Sequence, residues 1–370
     1  MDRHETGRIL KAIEAARAAD EPVALATIVR VIGSAYRREG TRMVVGRDGR
    51  YECMLSGGCL EPAIVELAQQ IIAGGEPRTV RYDLAEDVVW GLGLGCGGTV
   101  DVRIERLDER DAITRAWLEA LRQGTPTVLV TPLDAPGGRL LVFEDGAVLG
   151  SLGAGLDPQA IARARERLRG ANERSGPERL HGVELFFDVC GPPPDLVVFG
   201  AGHDAVPLVR LAHDLGFMIT VVDVRDGYLT SGRFPGARLV HAPAGELERH
   251  VSPGPRSFVL IMNHNLARDE ESLRCAFESA AHYIGVMGPR SRYDRLMSGL
   301  TADGYLPNAS RLAAVRSPVG LALGAETPEQ VAVSVLGEIM ALRYGFDGGF
   351  LSGLPGAIHK PEDTRRLARS

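Results

Sequence analysis

The feature that most restricts the possible folds is the stretch Phe199-Gly200-Ala201-Gly202-His203-Asp204-Ala205. It follows the apolar run Leu196 to Phe199 and precedes the helical pattern Val206 to Leu215, so a G-x-G-x-x-A turn joins a strand to a helix. Gly200 permits the tight turn, and Gly202 leaves room for backbone N–H groups to approach a phosphate at the helix N-terminus. Asp223 ends the next strand, Met218 to Val222, at the distance where an acidic group meets a ribose. Strand runs at Phe258 to Met262 and Tyr283 to Met287 alternate with helical segments. That alternation predicts βαβ units, hence a Rossmann-like parallel sheet covered on both faces. Two readings of the turn stay open: a nucleotide such as NAD(P) bound through Gly200, Gly202, His203, Asp204 and Asp223, or a vestigial turn that packs helix on strand. Asp204 brings a negative charge to the place a phosphate would take.

Met262-Asn263-His264-Asn265 closes one of these strands at the edge where open α/β sheets carry ligands. His264 is the candidate for proton transfer in this half. The competing reading is a polar residue in a solvated loop, because the sequence places no acid or nucleophile beside it.

Upstream, Gly191-Pro192-Pro193-Pro194 interrupts every pattern, since consecutive prolines lack backbone donors and hold the chain extended. We place a domain boundary there, dividing residues 1–191 from 192–370. With 370 residues, 45% of them hydrophobic and 24% charged, each part has enough apolar material for its own core. The first part reads as mixed α/β. It has a helix over Thr6 to Ala19, a hairpin of Arg42 to Val45 and Tyr51 to Leu55 around Arg47-Asp48-Gly49-Arg50, and a helix over Glu61 to Ala73. A segment without usable motifs, 108–189, follows. A last helix, Pro328 to Arg343, starts with Thr327 as its cap.

The first part concentrates glycine and cysteine. Ser56-Gly57-Gly58-Cys59 joins a strand to a helix, so Gly57 and Gly58 would present N–H groups to an anion while Ser56 adds a hydroxyl. Cys59 stands at the first helical turn, where a thiol becomes more reactive; a small packed residue is the alternative. Gly91-Leu92-Gly93-Leu94-Gly95-Cys96-Gly97-Gly98 is so rich in glycine that a ligand or another backbone must approach closely, or the loop is a hinge. Soft thiolates at Cys59 and Cys96 suit a soft metal or a sulfur-bearing cofactor, although two separated cysteines without histidine do not make a structural zinc site. Among the arginines of Gly33 to Arg42, Arg42 is the candidate grip on a phosphate or carboxylate.

A net charge of −6 lacks the basic surface that nucleic-acid binding needs, no apolar run approaches the length of a membrane span, and the N-terminus lacks the pattern of a signal peptide. A cytoplasmic location is therefore expected, with the five cysteines kept reduced.

Taken in order, Gly33-Ser34 through Arg42-Met43, Ser56-Gly57-Gly58-Cys59-Leu60-Glu61 and Gly93-Leu94-Gly95-Cys96-Gly97-Gly98 resemble the N-terminal domain of the XdhC/CoxI family. Phe199 to Pro207, Tyr283 to Arg290, and Ser317-Pro318-Val319-Gly320 through Glu329 resemble its Rossmann domain. Two positions depart from the pattern: Tyr36 stands where proline is expected, and Asn263-His264-Asn265 varies a Thr-His-Asp-like loop. The resemblance implies a maturation factor more than a turnover enzyme. Such a factor binds molybdenum cofactor (molybdopterin), shelters it while its terminal sulfur is installed, and delivers it to an apo molybdenum hydroxylase such as xanthine dehydrogenase. It also implies a homodimer and a sulfur-donating cysteine desulfurase as a further partner. On the resemblance and the motifs together, the cofactor-binding candidates are Arg42, Ser56, Gly57, Gly58, Cys59, Gly95, Cys96, Gly97 and Gly98, with Cys59 and Cys96 as the contacts to molybdenum or sulfur. The alternative is an NAD(P)-dependent oxidoreductase using the C-terminal turn, with His264 as its acid/base.

Overall fold

The structure is a computed structural model, and it describes residues 3–84, 98–134, 137–169 and 174–353. The chain divides into two compact units, one of the residues up to Pro192 together with Leu351 to Gly353, the other running from Pro193 to Phe350. Among the described residues no helix is long and apolar enough to cross a membrane.

The first unit comprises α1 (Arg3–Ala18), β1 (Val23–Ile32), β2 (Arg42–Gly46), β3 (Tyr51–Glu52), α2 (Glu61–Ile72), β4 (Arg78–Asp83) and β5 (Thr99–Arg106). It continues with α3 (Ala112–Gln123), β6 (Thr127–Pro132), β7 (Leu140–Phe143), β8 (Val148–Gly150), α4 (Asp157–Arg169), β9 (Gly176–Leu180) and β10 (Val183–Cys190). Two antiparallel sheets result, in the orders β3-β2-β1-β5-β4 and β8-β7-β6-β10-β9. Strand periodicity decides the layers. Ala24, Ala26 and Ile28 of β1 face α2, whereas Val23 and Leu25 face a central core shared with α1, α3 and Leu129 of β6. Val128 and Val130 point the other way, toward α4.

In that central layer the structure gives Arg42 a different task from the anion grip expected of it. Its side chain is buried and paired with Asp188 of β10, so the two sheets are joined by an ion pair. The guanidinium also donates to the Cys190 sulfur at 3.4 Å and lies 5.1 Å from the centre of the Trp117 ring. Burial would strip the charge, but Asp188 overcomes this and holds Arg42 above the ordinary arginine range.

The second unit comprises β11 (Asp195–Phe199), α5 (Ala205–Asp214), β12 (Met218–Asp223), β13 (Arg238–His241), α6 (Leu247–His250) and β14 (Ser257–Ile261). After these come α7 (Leu266–Glu278), β15 (Tyr283–Val286), α8 (Arg290–Ala302), α9 (Ala309–Ala313), β16 (Val315–Arg316) and α10 (Pro328–Tyr344). The sheet order is β13-β12-β11-β14-β15-β16, with every described pair parallel. This is the doubly wound order of Rossmann sheets, and the winding reverses between β11 and β14. Both faces are covered: Leu196 and Val198 pack under α5 and α10, while Val197 and Phe199 pack under α7 and α8. That explains why β11 reads as an unbroken apolar run. Helix α10 begins with a full capping box of Thr327 and Gln330.

The fold predicts the effect of breaking the inter-sheet ion pair. Asp188→Ala leaves a buried guanidinium charge uncompensated and should cost about 3–5 kcal/mol in urea unfolding, while Arg42→Met combined with Asp188→Leu should recover most of it. A loss under about 1 kcal/mol for the single variant would place the pair with ordinary surface bridges.

Candidate functional site

Among the described residues, topology brings Gly33-Ser34, the loop 53–60 and Gly98 to one end of the first sheet of the first unit. Strand β1 leaves the sheet at Ile32 opposite Thr99, where β5 enters, and Thr99 in turn pairs with Asp83, the last residue of β4. Strand β3 runs antiparallel to β2, so the loop 53–60 emerges at this same end. Leu55, Leu60 and Leu84 share one core cluster there, against which Ala35 and Cys59 pack.

The loop 55–60 is organised by Glu61, whose role the sequence did not reveal. Glu61 is buried and accepts the Leu55 N–H at 2.9 Å and the Ser56 N–H at 2.7 Å, as well as the Ser56 hydroxyl. The Ser56 oxygen in turn accepts the N–H groups of Cys59 and Leu60, each at 3.1 Å, and of Gly58 at 3.3 Å. Three donors that could have met an external anion are thus already gathered on one hydroxyl. Burial alone would raise the Glu61 pKa, but the hydrogen bonds from Ser56 and the neighbouring backbone hold it below the ordinary value.

Gly57 and Gly58 are exposed, and a Cβ at either would meet nothing within 4 Å. Gly58 needs glycine for its backbone, at φ +110°. Cys59 is half-buried just before α2, with its sulfur 3.2 Å from the Ser56 oxygen. This loop therefore presents an open backbone face and a partly accessible thiol.

Gly98 serves a different purpose, because a Cβ there would lie 2.1 Å from the Ser34 carbonyl oxygen. The close approach that its glycine allows is to the Gly33-Ser34 backbone. Gly95, Cys96 and Gly97 lie outside the described residues. Of the remaining cysteines, Cys53 is buried in a left-handed conformation after β3, and Cys190 lies beside Arg42.

In the second unit the switch point brings two sequence candidates together. Asp204 and His264 form a pair at 2.7 Å from Oδ2 to Nε2, supplying the acid partner that sequence could not place. His264 sits in a left-handed conformation (φ +58°) and is mostly exposed. Its loop is pinned by Asp269, which is buried and accepts the Asn263 N–H and side-chain amide, both at 3.0 Å, and the Arg292 guanidinium at 2.6 Å. Asn265 caps α7.

Gly200 is needed because a Cβ would stand 2.4 Å from the Met262 carbonyl oxygen. Asp223 is buried and turned inward: it accepts the Ala201 N–H at 2.6 Å and holds the Arg225 guanidinium at 2.8–2.9 Å. Burial would raise its pKa, and Arg225 with the Ala201 N–H keeps it low instead. Arg225 stacks 4.1 Å from the centre of the Tyr228 ring; Arg233 lies 4.9 Å from the same centre and donates to the Gly202 carbonyl at 3.0 Å. His203 meets Tyr228 edge-on at 6.3 Å. The spacing Asp223-x-Arg225 is the one signal by which the sequence could have announced this lock. Among the described residues no group of three or more His, Cys, Asp and Glu side chains is placed to hold a metal ion.

Comparison with known proteins agrees with this architecture. Residues 196–339 match the XdhC Rossmann domain, and residues 16–83 match the XdhC and CoxI family. Over 330 residues the chain is 33% identical to a probable xanthine dehydrogenase subunit from Bacillus subtilis strain 168, covering 87% of this chain and 94% of that one. The chain belongs to the XdhC and CoxI family. It is also 25% identical over 346 residues to the molybdenum cofactor insertion chaperone PaoD of Escherichia coli K12, covering 92% of this chain and 89% of that one. A crystal structure from Bacillus halodurans, described as a xanthine dehydrogenase, superposes with a TM-score of 0.73 at 29% identity over 96% of this chain and 98% of that chain. The mixed α/β first unit and the Rossmann second unit of this family member are the architecture that its motifs implied.

The Glu61 lock carries a pH signature. A carboxyl whose folded pKa lies below its unfolded value adds stability that is complete above the unfolded value and disappears as pH falls through the folded one. Glu61→Gln should therefore flatten the acid limb of the stability curve below about pH 5. Thermal melts of both proteins across that range check it; limbs of equal slope would remove Glu61 from the account.

Proposed function

We propose that this protein binds molybdenum cofactor and passes it to an apo molybdenum hydroxylase of the xanthine dehydrogenase kind. The observation that carries the reading is the similarity to a molybdenum cofactor insertion chaperone along nearly the whole of both chains, together with the relation to a protein named for xanthine dehydrogenase. In this reading the first unit holds the cofactor at the sheet end where its glycine loops meet.

The residues there leave room for a flat, sulfur-bearing group. The faces of Gly57 and Gly58 are open, so a flat ligand can lie against the backbone, and the Cys59 sulfur is within reach of the surface. Glu61 and Ser56 fix the loop beforehand, which lowers the ordering cost of binding. Arg42 takes no part in that grip, since Asp188 already holds it. Gly95, Cys96 and Gly97 complete the proposed lining on sequence grounds. When bound, the cofactor supplies a molybdenum centre whose terminal ligand is exchanged between oxygen and sulfur. The chain's part is to shelter that centre from water, with Cys59 and Cys96 as the thiols that meet it. Delivery in sulfurated form calls for a cysteine desulfurase as the sulfur donor, and a homodimer is the assembly in which the factor acts.

Two measurements test this. Mass analysis of small molecules released from full-length protein, produced in cells competent for cofactor synthesis, should find the pterin in stoichiometric amount; its absence from protein that is folded and pure overturns the proposal. Cys59→Ala and Cys96→Ala should each lower cofactor load or apo-hydroxylase activation several-fold. Cys275→Ala should leave both unchanged, because Cys275 is buried in α7 and burial pushes its thiol up to about 12. Wild-type load and activation in both alanine variants would reduce those thiols to packing residues.

A further inference from the structure

We infer that the second unit excludes the diphosphate of a dinucleotide from its glycine turn, and that Asp204 is the residue that excludes it. A Rossmann turn holds a dinucleotide through two kinds of contact: helix N-terminal N–H groups take the diphosphate, and an acidic side chain at the end of the second strand takes the ribose hydroxyls. Here the chain makes both contacts with its own carboxylates.

The first is made by Asp204. Its Oδ1 accepts the Ala205 N–H, the first of α5, at 3.1 Å, and the same oxygen lies 2.5 Å from where a Cβ on Gly202 would stand. Gly202 is the residue whose missing side chain should let a phosphate come close, and the space it leaves is taken by a carboxylate. That carboxylate is fastened from across the switch point, where His264 meets its other oxygen at 2.7 Å. The His264 loop is itself held by the Asp269 bonds to Asn263, and Asn263 also donates to Ser272 at 3.0 Å. A phosphate entering the turn would meet a fixed negative charge at contact distance, where like charges repel strongly.

The second is made by Asp223. Oδ1 takes the Arg225 N–H at 2.8 Å and its Nε at 2.9 Å, while Oδ2 takes the Ala201 N–H at 2.6 Å and the Arg225 Nη2 at 2.8 Å. With two donors on each oxygen and the side chain buried, the carboxylate has no direction left toward a ribose diol. The group that would identify NAD is instead a clamp tying the glycine turn to the end of β12.

The turn thus keeps the dinucleotide geometry but fills it internally, and Asp204 is the part of the filling that confronts the phosphates. The test uses the full-length protein, with inorganic pyrophosphate as a probe of the turn alone and NADPH as a probe of the whole site. Pyrophosphate binding is followed by calorimetry and NADPH binding by nicotinamide fluorescence. Wild type should show no saturation with either probe up to about 1 mM, and Asp204→Asn, which keeps the shape of the cap but removes its charge, should bind pyrophosphate at least about tenfold more tightly. Asp204→Ser, which also caps a helix, serves as the second variant should the first melt early. Micromolar binding of either probe to the wild type overturns the inference. So does a folded, neutral variant that binds pyrophosphate no better than the wild type, because the charge of Asp204 would then not be the barrier.

Discussion

A buried carboxylate is costly unless hydrogen bonds and counter-charges surround it, and this protein places one at four junctions among its described layers and loops. Asp188 meets Arg42 between the two sheets of the first unit. Glu61 gathers the backbone of the loop ahead of α2, Asp223 ties the glycine turn to the end of β12, and Asp269 pins the loop that carries His264. The last three lie where the chain leaves regular structure, and loop N–H groups there have no ladder partner. The carboxylate supplies what the ladder does not. The same logic accounts for the lowered pKa of Glu61 and Asp223, since hydrogen bonds to the charged form outweigh the burial that opposes it.

This device separates two loops that look alike in sequence. Around Ser56 the internal bonds stop at the hydroxyl and leave the faces of Gly57 and Gly58 open. Around Gly202 they continue into the space that glycine provides. Both loops are glycine-rich and both precede a helix, but one offers a prepared surface while the other is already filled. The proposed cofactor site rests on the first loop for that reason, which composition does not give.

The elements most legible in the sequence were those whose burial imposed a period. The apolar runs of β11, β12, β14 and β15 required a sheet covered on both faces, and the capped, proline-started α10 lies where its signals placed it. Strands β13 and β16 were not seen, for they are short edge strands with exposed residues among few buried ones, and β4 is polar for the same reason. The hairpin around Asp48-Gly49 is real but short: β3 ends at Glu52, because Cys53 turns into a left-handed conformation rather than continuing the strand. Arg42 shows the limit most clearly, as its partner Asp188 lies 146 residues away and no spacing rule connects them. Gly98 and Gly200 show another: a glycine announces that something comes close, yet the neighbour proved to be the Ser34 carbonyl in one case and the Met262 carbonyl in the other.

The self-filled turn also has a thermodynamic consequence. A helix N-terminus left open at a sheet edge is a cluster of unsatisfied donors, and a nucleotide site that relied on its ligand would gain stability only with the logarithm of the ligand concentration. Under the proposed function, the fold has to persist both loaded and empty. With Asp204 on the Ala205 N–H and Asp223 on the Ala201 N–H, these two donors of the second unit are satisfied without a nucleotide. Under the proposed function, folding of the second unit and cofactor binding can then vary separately.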